Sequence, residues 1–428
     1  MKNFKLSKLA ENLTSLSISK LSEKIDEKKR QGEDIFNFTL GDFAPKHFPI
    51  PDKLEKEIIT AYREKHTNYP FVGGMKELRE AISEHIKLYG QFDYKPNEVI
   101  VTSGARPLIY ILFRMLVDPG EQIIYTVPSW NNQHFIYLAH AKPVVITAKP
   151  QNNFLVTAKE LKPHIKKAVL ITLNSPSNPS GTMFDPKTLK EIFDLVVAEN
   201  EIRLKKKKKP LYIFFDIIYW HLVYGKNAYH NPIKLNKKIK DYIIFIDGIS
   251  KCFAATGVRL GWAFGPQPII EKMRSMLAHL GSWAPKPEQI GTARFLRNHR
   301  EVDKFLNTFK NEILTRLNIF YTTIQKLKTT GYKVDAIEPQ GAIYLSVKLD
   351  LIGAKTGNNK ILKTVDDVLS YLLEDTRIGL VPFYFFGMKK NLPWFRLSVG
   401  TCSINEAKLA AERITQSVQN LKNCSKSR

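Results

Sequence analysis

The residues able to do chemistry stand where apolar runs end. Lys251 lies in DGISKCFAATGVRLGW, directly after a run that reads as a buried strand. A lysine in a pocket loses its charge and attacks carbonyls, whereas one on a loop is only a solvated cation. Asp216 closes LYIFFD, and a carboxylate there is costly to bury unless a cation or donors meet it. A helix cap or a structural ion pair would satisfy it as well as a catalytic role. Thr102-Ser103-Gly104-Ala105 ends one candidate strand and opens an apolar helix, with Pro107 near the first turn, where its missing N–H does no harm. Free N–H groups and the helix dipole at 103–105 favour an anion. Arg259, eight residues after Lys251, brings a second cation. There is no GxGxxG after a strand, no GxxxxGK[ST], no HExxH and no CxxC, so dinucleotide, P-loop and zinc-protease readings lose support.

Something must hold these residues together. From Glu98 to Gly265 short apolar runs alternate with helical stretches, with candidate strands at 99–102, 122–127, 144–147, 168–173, 211–216, 242–247 and 261–265. Several are continuously apolar, as strands buried on both faces of a mostly parallel sheet are. That pattern gives an α/β unit with helices on both faces, whose ligands lie at the strand ends. Before it, Leu6, Leu9, Leu13, Leu16, Ile18, Leu21 and Ile25 recur among Lys and Glu, which predicts one or two amphipathic helices in an N-terminal arm. After it come a long helical region over 287–329, strands, and a last helix from Asn405, a smaller α+β unit. The Lys205–Lys209 run reads as a solvated loop.

Composition limits the partners. The chain has 428 residues, 43% hydrophobic and 25% charged, a balance that excludes disordered and disulfide-scaffold classes. Three scattered cysteines, Cys252, Cys402 and Cys424, form neither a disulfide framework nor a four-ligand zinc site and point to a reducing, cytoplasmic setting. No metal site is read from the sequence. The net charge of +24 suggests a polyanion, but only 16 of the 65 basic residues are arginine and the lysines are spread along the whole chain, which argues against nucleic acid. No apolar run reaches the ~20 residues of a membrane span.

A lysine amine for a Schiff base, an acid for a pyridinium nitrogen and an anion site for a phosphate are together what pyridoxal 5′-phosphate asks of a protein. The stretch SKCFAATGVRLGW resembles the cofactor-lysine signature of the class I, fold-type I aminotransferases: Ser-Lys, then Gly-x-Arg-x-Gly-aromatic. NYPFVGGMKELREAI, VPSWNNQH, NSPSNPSGTMF, FFDIIYW and WFRLSVG support the likeness in the family's order. It runs from about Asn37 to Arg413 and is strongest towards aspartate aminotransferases. Aromatic-amino-acid and alanine aminotransferases, and a C–S lyase or decarboxylase on the same fold, are the alternatives.

The resemblance implies a role for each matching residue. Lys251 would carry the cofactor and shuttle the proton, and Asp216 would pair with the ring nitrogen. Asn178 and Tyr219 would bind the phenolic oxygen, with Trp130 stacked on the ring. Ser103, Gly104 and Ala105 through their N–H groups, with the side chains of Ser250 and Arg259, would form the phosphate cup. Tyr69 would reach that phosphate from the other subunit of a homodimer. Arg396 would grip the substrate α-carboxylate, helped by the Gly41 backbone, with Trp130 and Asn178 also facing the substrate. The substrates would be an amino acid and a 2-oxo acid. Val127-Pro128 and Asn178-Pro179 are candidates for cis peptides. The likeness also implies an N-terminal arm with part of the small domain over 1–47, a large domain over 48–309 holding a seven-stranded sheet, and a small domain over 310–428. Two departures stand out. Gly248 replaces a usual hydroxyl residue three before the lysine, and the usual Gly-x-Pro-Asp-Phe is shortened to Gly41-Asp42-Phe43.

Overall fold

The computed structural model describes residues 5–13 and 17–422; Leu16 and Cys424 lie outside the described residues. A two-residue strand β1 (Phe36–Asn37) precedes seven strands that form one sheet: β2 (Val99–Thr102), β3 (Gln122–Val127), β4 (Lys142–Thr147), β5 (Ala168–Asn174), β6 (Tyr212–Asp216), β7 (Ile243–Gly248) and β8 (Gly261–Phe264). Their order is β2-β8-β7-β6-β5-β3-β4. Only β8 runs against its neighbours, so the sheet is mostly parallel, with seven strands where seven were expected. All of β2 and β7 and nearly all of β5 is buried, because helices cover both faces. Leu78, Ile82, Phe193 and Phe245 belong to one core layer, and Leu112, Phe113, Phe214 and Ile244 to another.

Five further strands follow: β9 (Val334–Ala336), β10 (Tyr344–Leu349), β11 (Ile378–Gly379), β12 (Val381–Pro382) and β13 (Trp394–Ser398). Four of them make an antiparallel sheet in the order β12-β13-β10-β9, packed under the helices His299–Thr329 and Ile404–Gln419. Phe320, Leu345, Leu397 and Ala410 share this core. The 31-residue helix His299–Thr329 runs between the two bodies: Leu306 packs in the core of the large sheet and Phe309 in that of the small one. The arm joins the second body, for β1 pairs in parallel with β11, and Leu21 and Ile25 of the helix Ser17–Arg30 are buried beside Leu373.

Two local readings are refined. Lys205 ends the helix Pro186–Lys205, and Lys206 to Lys208 are exposed, as a charge run should be. Lys209 is not simply solvated, because it is half-buried and bridges Asp118 at 3.0 Å and Glu121 at 2.6 Å. Both expected cis peptides are present, together with a third at Ser175-Pro176.

Beneath the strand ends, His85 and His221 face each other with Nε2 atoms 2.8 Å apart. One ring must donate and the other accept, so the contact excludes protonation of both imidazoles at once. Burial pushes His85 down to about 3 and His221 well below its usual value, with His299 and Lys310 adding positive charge on the two sides. The unfolded chain takes up these protons first as pH falls below about 6.5. Stability is therefore full above that pH and is lost below it, by roughly 1.4 kcal/mol per pH unit for each histidine. Urea midpoints between pH 7 and 5 should show this fall, with a shallower slope in His85→Phe; an unchanged slope would mean the pair is not neutral in the native state.

Candidate active site

Most of the residues singled out by sequence converge on one cavity of about 620 Å³, at the C-terminal ends of β5 and β6 and the segment after β7. Strand β6 ends at Asp216, whose Oδ1 accepts the Ile218 N–H at 3.0 Å. Burial raises this carboxyl to about 6, while the Ile218 N–H and the nearby Lys251 charge act in the opposite sense. After β7 a single helical turn, Ile249–Cys252, carries Ser250 and Lys251. Lys251 Nζ donates to the Gly41 carbonyl at 2.5 Å. Burial pushes the amine down to about 8; Asp42 opposes this, and Arg396, Arg106 and Arg259 reinforce it.

Three backbones meet next to this turn. A Cβ at Gly248 would stand 2.8 Å from both the Gly261 Cα and the Leu260 carbonyl, and one at Gly261 would stand 2.7 Å from the Ala105 nitrogen. The missing hydroxyl at 248 is thus a packing requirement, since no side chain fits between β7 and β8. Gly104, at φ +81°, faces the Arg259 guanidinium, which a Cβ would strike. The anion site is narrower than the sequence suggested. Ser103 N–H donates to the Ser282 carbonyl at 2.9 Å and Gly104 N–H to the Thr102 carbonyl at 2.8 Å, so both are committed to the protein. Ala105 opens the helix Ala105–Leu116, where no preceding turn supplies an acceptor for its N–H. Ala105, Ser250 and Arg259 all line the cavity.

The second body contributes from β13 and β10. Arg396 is 2% exposed. Its Nη1 donates to Asn178 Oδ1 at 2.9 Å and its Nη2 to the Thr39 carbonyl at 2.5 Å, while its Nε has no partner among the described residues. The guanidinium lies over the rings of Tyr344 and Phe386. Tyr219 OH and Tyr344 OH are 2.7 Å apart, and burial lifts the Tyr219 phenol well above its usual value. Trp130 lines the cavity with Arg106 stacked 4.7 Å above its ring.

Lys251, Asp216, Tyr219, Trp130, Asn178, Gly41, Ala105, Ser250, Arg259 and Arg396 are therefore brought together. Tyr69 is not. It is 84% exposed and packs edge-on against Trp283, outside the cavity of its own chain. Sequence reasoning missed Arg106, Tyr344 and Asp42. Arg106 was the most accessible of these, since it directly follows the Ser-Gly-Ala turn and faces the cavity from the first turn of the helix. Tyr344 had no local signal, because only the pairing of β10 with β13 sets it beside Arg396.

The sequence pattern of the family "Aminotransferase class I and II" matches residues 33–414. The chain is 31% identical over 414 residues to an aspartate aminotransferase of Geobacillus stearothermophilus, covering 96% of this chain and 98% of that one. It is 29% identical over 417 residues to an aspartate aminotransferase of Bacillus subtilis, covering 97% and 99%. Among solved structures, the aspartate aminotransferase from Rhizobium meliloti superposes with a TM-score of 0.87 at 25% identity, over 98% of this chain and all of the other.

The amine of Lys251 must be neutral to attack a carbonyl, so its reactivity should rise with pH through a midpoint near 8. Borohydride trapping of a small aldehyde, read at Lys251 by mass spectrometry across pH 6–10, checks this. A midpoint above 10 would place the amine in water.

Proposed function

The chain belongs to the class I and II aminotransferases and is a transferase of amino groups, and from that premise we propose that it moves the amino group of L-aspartate to a 2-oxo acid, 2-oxoglutarate foremost, in a ping-pong exchange on pyridoxal 5′-phosphate. One observation carries the choice of donor: besides Arg259, which the phosphate would take, the cavity that receives the Lys251 amine has two guanidiniums on its lining, Arg396 and Arg106. Two fixed guanidiniums suit a substrate with two carboxylates, for each pairs in a fork with one of them. The names of the relatives point the same way.

The residues present fit the cofactor. Thr172 Oγ1, Ser129 Oγ and Arg396 Nε are buried without partners among the described residues, and all three residues line the cavity. Gly104 leaves open the space that a Cβ would take from the Arg259 guanidinium. Asp216 would hold the ring nitrogen, Asn178 and Tyr219 the phenolic oxygen, and Trp130 one face of the ring. Ala105 N–H, Ser250 and Arg259 would hold the phosphate, joined by Tyr69 from the second subunit of a homodimer. When bound, pyridoxal phosphate supplies an aldehyde to take up the amine and a ring that draws electrons from the substrate Cα.

The chain's own groups do the rest. Lys251, with its amine lowered towards neutral pH, takes a proton at the substrate Cα and returns it on the other side of the exchange. Asp216, ionised above about 6, favours a protonated ring nitrogen at physiological pH. Arg396 orients the α-carboxylate and Arg106 the side-chain carboxylate, so that the Cα proton faces Lys251. We assign the arm with 310–428 to a small domain that closes on a large domain of 48–309, expelling water. Two of the cysteines, Cys252 and Cys402, are free and buried, in keeping with a cytoplasmic setting.

Lys251→Ala should abolish transamination in a protein that still folds; turnover in that variant would overturn the assignment. Oxo-acid release that needs no amino acceptor would instead identify a lyase. Arg106→Met should raise the KM for aspartate by about ten- to a hundredfold and leave alanine unaffected. Arg396→Lys should raise the KM of every substrate alike. Light scattering checks the dimer that Tyr69 requires.

A further inference from the structure

Asp216 is poorly supported for a carboxylate that must stay charged. Its Oδ1 takes the Ile218 N–H, and its Oδ2 accepts no hydrogen bond among the described residues. The neighbouring donors are engaged elsewhere. Asn174 Nδ2 donates to the backbone carbonyl of Asp216 at 3.0 Å, Tyr219 OH pairs with Tyr344 OH, and Lys251 Nζ holds the Gly41 carbonyl.

Among the described residues, strand pairing sets one free hydroxyl beside Asp216. Thr172 on β5 is 3% exposed, lines the same cavity, and its Oγ1 has no partner among the described residues. The pairing of β5 with β6 sets Thr172 opposite Phe214 and Asn174 opposite Asp216. Residues two apart on a strand share a face, so Thr172 and Asp216 project from adjacent strands onto one surface as diagonal neighbours. Strand spacing and rise set their backbones about 8 Å apart, a separation that one water between the two side chains spans. Ser129 Oγ is also buried and unpartnered in the lining, but it follows the end of β3 and no strand pairing sets it beside Asp216.

We infer that Thr172 is a positioning residue for Asp216: its hydroxyl holds one water against the second carboxylate oxygen, and so fixes the charge and aim of Asp216 towards the ring nitrogen of bound pyridoxal phosphate. The inference rests on the functional reading above and adds to it a residue that acts through Asp216. It also explains why a buried strand in contact with two apolar layers carries a hydroxyl at that position, where an unmatched hydroxyl costs stability.

The test uses opposite signs. Thr172→Val keeps the branched shape that suits a strand and removes only the hydroxyl. The cofactor-free variant should melt at the same temperature as wild type or higher, while its Kd for pyridoxal phosphate, read by fluorescence quenching, rises about five- to tenfold. Thr172→Ser should restore the wild-type Kd. An unchanged Kd in Thr172→Val overturns the inference, as does a fall in melting temperature with a Kd that serine fails to restore, since that marks a packing role. A wild-type chain that takes up no pyridoxal phosphate overturns the functional reading itself, and this inference with it.

Discussion

Withdrawing the Lys251 amine from water into a cavity that also receives Arg106, Arg259 and Arg396 concentrates positive charge where little solvent can screen it. Desolvation and repulsion both favour the neutral amine, and together they bring it down to about 8. The fold keeps the amine in place through the Gly41 carbonyl and offsets part of the charge with Asp42 and Asp216. A less buried lysine would stay protonated and inert. A cavity without the cations would have nothing to hold the anionic groups that its chemistry requires.

The close stacking of Gly104, Gly261 and Gly248 is what brings these charges so near one another. Because β8 runs antiparallel between β2 and β7, the turn that opens the helix Ala105–Leu116 and the turn that carries Lys251 lie on either side of one strand end. Side chains at 248 or 261 would force those backbones apart, and with them the amine and the anion site. The loss of a usual hydroxyl at 248 and the commitment of the Ser103 and Gly104 N–H groups belong to the same compact arrangement, which leaves Arg259 and Ala105 on the cavity lining.

Arg396 couples the two bodies. Its strand belongs to the antiparallel sheet, yet its guanidinium meets Asn178 from the loop after β5 and the Thr39 carbonyl from the arm. A buried arginine is stable only when most of its donors are met, so the two bodies are held in register around it. Tyr344 and Tyr219 add a second bridge across the same seam.

Much of this was legible in the sequence because it depends on short-range rules. Seven short apolar runs, several of them continuously apolar, identified the sheet, and polar residues at their ends identified Lys251, Asp216 and the turn at 103–105, since strand ends of α/β sheets face the ligand side. What the sequence left open was set by contacts between distant segments. Nothing local showed that Gly248 faces Gly261, that the Gly104 N–H would be spent on Thr102, or that Arg106 would lie over Trp130. Tyr344 stands 125 residues from Tyr219, and only strand pairing brings them together. The chain by itself determined which residues could be reactive, because residue type and apolar patterning fix chemistry and burial. The tertiary structure decided how reactive they are, because desolvation and the distances between charges exist only once the separate strands have packed.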